Sequence, residues 1–111
     1  MSRSVSESEW KTLQKLKPTL LDRLCQRILD EIEVASTRPE TSPHQRYLDV
    51  YELMERRDHD VGYGFTNWTR AQAMDRILAM QKLELFTEEE LQLFSAKTRE
   101  TLDEFYPHDD E

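Results

Sequence analysis

Three histidines, one cysteine and a surplus of carboxylates are the residues of this chain with metal-binding or catalytic chemistry available to them. His44, His59 and His108 are scattered, and none has a second histidine at helical ligand spacing. No Glu-x-x-His pair of the kind that binds a di-iron centre in a helical bundle occurs. His59 lies between Asp58 and Asp60, but on a helix only Glu55, four residues earlier, shares its face. That geometry predicts a surface Glu–His pair and no metal centre. Cys25 falls at helical spacing with Leu21 and Ile28, which predicts a buried, inert thiol. Glu88, Glu89 and Glu90 follow Thr87 and suit the first turn of a helix, where the macrodipole favours negative charge. No catalytic constellation and no cofactor motif emerges, and the sequence predicts a protein without enzymatic activity.

The richest segment runs from Val61 to Trp68, V-G-Y-G-F-T-N-W. It holds the chain's two glycines, Gly62 and Gly64, beside Tyr63, Phe65 and Trp68. A glycine leaves ordinary φ/ψ space at little cost, and amphipathic aromatics anchor protein partners. Two expectations follow. In one, Gly62 or Gly64 ends a helix in the left-handed conformation and the aromatics fill the core. In the other, Tyr63, Phe65 and Trp68 are partner-binding anchors, with Arg56, Arg57 and Asp58 as their polar rim. The glycines do not form a phosphate loop, because no G-x-x-x-x-G-K-[ST] run is present.

The elements that carry these residues read as helices. Ser6–Glu9 matches the S-x-x-E capping box, with Trp10, Leu13 and Leu16 on the inner side of the helix that follows. Pro18 predicts a kink or break near Lys17, with a second helix to about Ala35. Ser36–Ser42 is the clearest loop. Ser42-Pro43 opens a further helix to around Val61, with Tyr47, Val50, Tyr51 and Met54 as its apolar stripe. Thr69–Gln72 and Thr87–Glu90 read as two more capping boxes. They introduce a helix with Ala71, Met74, Ile77 and Leu78 inward, and a last helix with Leu91, Phe94, Thr98, Leu102 and Phe105. No stretch shows strand alternation. The predicted fold is all-α: a compact bundle of four or five mainly antiparallel helices spanning residues 6–106, with a frayed 1–5 and an acidic 107–111 tail.

The chain has 111 residues and a net charge of −8, which suits one domain. Residues 1–56 are nearly balanced at net −1, and residues 57–111 carry −7. That field repels nucleic-acid phosphates and anionic lipid. A Thr-Glu-Glu-Glu start also makes the last helix unfit to read DNA. No apolar run is long enough to span a membrane. One cysteine and no signal-like apolar run predict a reducing, cytoplasmic setting. The function expected is that of a small acidic interaction or regulatory module binding another protein or forming a homo-oligomer. One alternative is an acidic inhibitor that mimics nucleic acid before a basic protein. Another is small-ligand binding in the bundle core around Tyr47, Tyr51 and Cys25.

Overall fold

The computed structural model describes residues 5–107. The residues before Val5 and the acidic end after Pro107 lie outside that range. The molecule is all-α. Helices α1 (Glu7–Ser36) and α2 (Pro43–Phe65) form a long hairpin. A 3₁₀ turn (Arg70–Gln72) leads into α3 (Ala73–Lys82), and α4 (Glu88–Leu91) and α5 (Ala96–Phe105) follow. The shape is drawn out, at 53 × 35 × 23 Å. The radius of gyration is 16.9 Å, against about 13 Å for a globular domain of this length.

α1 runs without interruption through Pro18, so the two helices expected there are one. Pro18 and Gln14 are both exposed. Pro18 offers no N–H to the Gln14 carbonyl, and the exposed side of a helix is where a proline does least harm. The capping box at Ser6 and Glu9 is present. Val5, expected in the frayed terminus, is buried. It occupies the position before the cap, Trp10 sits four residues after it, and both belong to one apolar cluster, the arrangement of a hydrophobic staple. Arg70 Nη2 donates to the Val5 carbonyl at 2.7 Å and holds this end down.

α3 is the centre of the fold. Ala73, Met74, Ile77, Leu78, Ala79 and Met80 are all buried, so it is apolar on nearly every side. Its start differs from expectation. Thr69 makes no side-chain cap bond, and it precedes the 3₁₀ turn Arg70–Gln72 instead of opening a capping box. One apolar cluster joins α3 to Trp10 and Leu13 of α1 and to Phe94 and Leu102. A second joins it to Leu20, Leu24 and Leu85. The expected last helix is two. The Thr87 box caps only the single turn of α4, and Ser95 caps α5 afresh by accepting from the Thr98 amide. Phe105, expected inward, is exposed.

α3 ends in a Schellman motif, with Leu85 N–H donating to the Met80 carbonyl and Glu84 N–H to that of Gln81. Glu84 takes the left-handed conformation there, φ 57°, where glycine is usual. α1 holds this turn. Arg27 donates to the carbonyls of Leu83 at 2.7 Å and Glu84 at 2.9 Å. Arg23 donates to the Leu85 carbonyl and grips Glu90 with both terminal nitrogens, at 2.8 and 3.1 Å.

Glu9 ties the two caps together. Its Oε1 accepts from the Ser6 amide at 3.1 Å, and its Oε2 accepts from the Ser95 amide and the Thr98 hydroxyl, both at 2.8 Å. Burial pushes this carboxyl up, but the hydrogen bonds, led by the Ser95 amide, outweigh it and hold the pKa at about 2, below the ordinary 4.5. A carboxyl depressed on folding stabilises the fold above its unfolded pKa and stops doing so as pH falls through its folded pKa. Stability is therefore expected to fall between about pH 5 and pH 2 by up to about 3 kcal/mol from this group. Urea unfolding of wild type and Glu9→Gln across that range tests it. The variant should be less stable at pH 7 and show a shallower pH dependence. Parallel curves would show that Glu9 is not the group responsible.

Candidate functional site

The glycine–aromatic segment does not turn where its glycines stand. α2 continues through Gly62 and Gly64 to Phe65, and neither glycine has a positive φ. The expectation of a left-handed glycine ending the helix is corrected. The reversal falls on Asn67, φ 58°. Asparagine is among the residues best suited to that conformation. Gly62 is exposed, and a Cβ there would meet nothing nearer than Thr66 Oγ1 at 4.0 Å. Gly64 is buried, and its Cβ would lie 2.9 Å from Leu83 Cδ1 and 3.0 Å from Met80 Cε. Gly64 thus serves the close approach of α2 to the end of α3.

The three aromatics divide. The rings of Phe65 and Trp68 stack with centroids 5.3 Å apart and planes 3° from parallel. Both are part-buried against the second apolar cluster. Lys17 lies 5.1 Å above the Trp68 ring, a cation–π contact that covers it from α1. Tyr63 is more open, at 44% exposure, with Lys82 Nζ 5.3 Å from its ring centroid. It neighbours Tyr106, whose phenol is pushed up by burial and then by Tyr63. Arg76 donates to the carbonyls of Tyr63 at 2.6 Å and Gly64 at 3.0 Å, capping the last turn of α2 with positive charge.

Arg56, Arg57 and Asp58 do not form one rim beside these rings. Arg57 is a strut of the hairpin. It holds the Glu31 carboxylate through Nε at 2.8 Å and Nη2 at 2.5 Å, and Asp60 through Nη1 at 2.7 Å. These bonds, that to Glu31 first, raise its pKa, and Arg57 in turn lowers that of Glu31. Arg56 lines a groove of about 540 Å³ between the far ends of α1 and α2, with Arg27, Asp30, Val34, Asp49 and Glu52. Asp58 is exposed.

The apolar stripe of α2 is placed differently from its expected position. The buried residue of its middle is Leu53, with Arg57 and Gly64 on the same side and Val50 and Val61 part-buried beside it. Tyr47, Tyr51 and Met54, spaced i, i+4, i+7, are 66%, 56% and 48% exposed. Cys25, expected to be buried, is exposed as well. Tyr47, Tyr51 and Cys25 therefore do not enclose a ligand cavity in the core. A helix advances about 100° per residue. Cys25, Leu29 and Ile32 of α1, and Tyr47, Tyr51 and Met54 of α2, thus turn away from the groove that Asp30, Val34, Glu52 and Arg56 line. They lie on one side of the hairpin, opposite the groove, with Tyr47, Tyr51 and Met54 towards the hairpin loop and Ile32, Leu29 and Cys25 successively farther from it. A signal for it was present in the sequence: α2 carries two apolar stripes, Val50–Leu53–Val61 and Tyr47–Tyr51–Met54, and one neighbour can cover only one of them.

Among the described residues, no group of three His, Cys, Asp or Glu side chains is placed to hold a metal ion, and no helix is long and apolar enough to cross a membrane. Compared with models of protein families, with curated proteins and with solved structures, the chain matches none.

The two glycines are expected to respond oppositely to substitution. Gly62→Ala gains helix propensity in open space and should stabilise by about 0.5–1 kcal/mol. Gly64→Val forces Leu83 and Met80 apart and should destabilise by about 1–3 kcal/mol. Thermal melts of the two variants beside wild type check this. A destabilised Gly62→Ala would restore the corner role to that glycine.

Proposed function

We propose that this chain is a non-enzymatic interaction module that binds another protein through the open face of the α1–α2 hairpin. The observation that carries the reading is the exposed Tyr47–Tyr51–Met54 stripe, with Leu29 and Cys25 on the same side of the hairpin. Exposed apolar side chains gathered on one side of a protein mark contact sites. Tyrosine and methionine suit it, because tyrosine combines apolar area with few rotatable bonds and methionine adapts to irregular surfaces. Asp58, seven residues after Tyr51 and four after Met54, belongs to the edge of this face. Tyr63 stands apart from it. Phe65, Trp68 and Arg57 support the scaffold that presents it. The single exposed thiol suits a reducing compartment such as the cytoplasm, and a module without chemistry of its own suits a regulatory or scaffolding role.

Cys25 offers a direct test. The thiol is carried by this face, so a benzophenone photo-crosslinker attached to it reports what docks there. Irradiation in lysate of the native source should give a discrete adduct. The adduct should disappear in Tyr47→Ser/Tyr51→Ser, a variant that alters surface residues and should keep its stability within about 1 kcal/mol. The same crosslinker in Cys25→Ser/Glu52→Cys, on the groove side, should give no such adduct. Adducts from the groove side only would place the contact surface there instead. No adduct from either side would remove the reading.

A further inference from the structure

We infer that the occupant of this face is a basic amphipathic helix contributed by the partner protein. The inference rests on the reading of the face as a contact surface and specifies the chemistry of what binds.

The first argument is the placement of charge. Between Pro18 and Gly62 the hairpin has six Lys or Arg residues, all arginine, besides His44 and His59. Arg23 and Arg27 reach across to the α3–α4 turn. Arg46 donates to the Thr41 carbonyl at 2.7 Å in the hairpin loop, where Arg38 also lies, 3.9 Å from Asp49. Arg57 is held by Glu31 and Asp60. Arg56 lines the groove on the opposite side. The apolar face thus has no cation of its own. Glu55, four residues after Tyr51, and Asp58, four after Met54, share its side of α2. Both are exposed, and neither is in an ion pair among the described residues; the Glu55–His59 pair expected from their spacing is not formed. An apolar stripe edged by free carboxylates is complementary to a helix with an apolar stripe edged by Lys or Arg.

The second argument concerns backbone. Both walls of the face are α-helices whose backbone groups bond internally, so there is no strand edge for a peptide to extend. Side chains at i, i+4 and i+7 present ridges and grooves that a third helix fills. A second copy of this chain fits less well. An isologous contact sets the same patch on both sides, so the covered face would hold the Glu55 and Asp58 carboxylates of both copies and no Lys or Arg to offset them.

The test uses the whole chain and two model peptides of about five helical turns. One has leucines at i, i+3, i+4, i+7 spacing with lysines elsewhere, and the other has glutamates in place of the lysines. Binding is read by fluorescence anisotropy, and the oligomeric state by sedimentation. The lysine peptide should bind and the glutamate peptide should not. Tyr47→Ser/Tyr51→Ser should weaken binding about tenfold or more. Glu55→Gln/Asp58→Asn should weaken it several-fold and flatten its salt dependence. Glu88→Gln/Glu89→Gln, which removes acidity elsewhere, should leave it unchanged. Equal binding of both peptides, or lysine-peptide binding indifferent to the tyrosine and carboxylate variants, overturns the inference. A dimer that the tyrosine variant dissociates also overturns it, while leaving the face a contact surface. A monomer that binds neither peptide, and gives no adduct at Cys25, removes the contact surface itself.

Discussion

A helix rises 1.5 Å per residue, so the 30 residues of α1 extend about 45 Å and the ten of α3 or α5 only about 15 Å. This mismatch governs the molecule. The short helices enclose α3 against one half of α1 and the end of α2, where both apolar clusters lie. They cannot reach the far half. There the hairpin is a two-helix layer, stitched by Leu53, Ala35 and the Arg57–Glu31 pair. A two-helix layer has two faces and no third element to cover either. One became a groove in which arginines and carboxylates surround Val34, Ala35 and Leu53, and the other carries Tyr47, Tyr51 and Met54.

Scarcity of glycine shapes the rest. With Gly62 and Gly64 both inside α2, left-handed turn positions fall to Asn67 and Glu84. Arginine takes up carbonyls near several of the chain's turns. Arg23, Arg27, Arg46, Arg70, Arg76 and Arg99 each donate to a backbone carbonyl in a turn, at a chain end or near a helix end. A fork of five donors on a long arm can satisfy such groups from a distant helix. Of the six arginines between Pro18 and Gly62, Arg23, Arg27 and Arg46 thereby fasten backbone, Arg57 pairs with Glu31 and Asp60, and Arg38 and Arg56 line the groove, which leaves Glu55 and Asp58 on the open face without an arginine partner.

What was legible in the sequence was local. The Ser6, Ser42 and Thr87 caps are where their side chains announce them, because a capping hydroxyl acts on an amide two or three residues away. The all-α class and the inward faces of α3 followed from periodicity, which a helix imposes whatever surrounds it. What the sequence concealed was which of two stripes on α2 meets a neighbour, whether Pro18 ends a helix, and what Gly64 is for. Tyr47–Tyr51–Met54 and Val50–Leu53–Val61 both fall at helical spacings, and the position of the neighbouring helices selects between them. Pro18 is harmless because its side of α1 faces water. Gly64 matters because Leu83 and Met80, far along the chain, come to lie against it. Periodicity states that a face is apolar, while the length and placement of the other helices decide whether anything within the chain covers it.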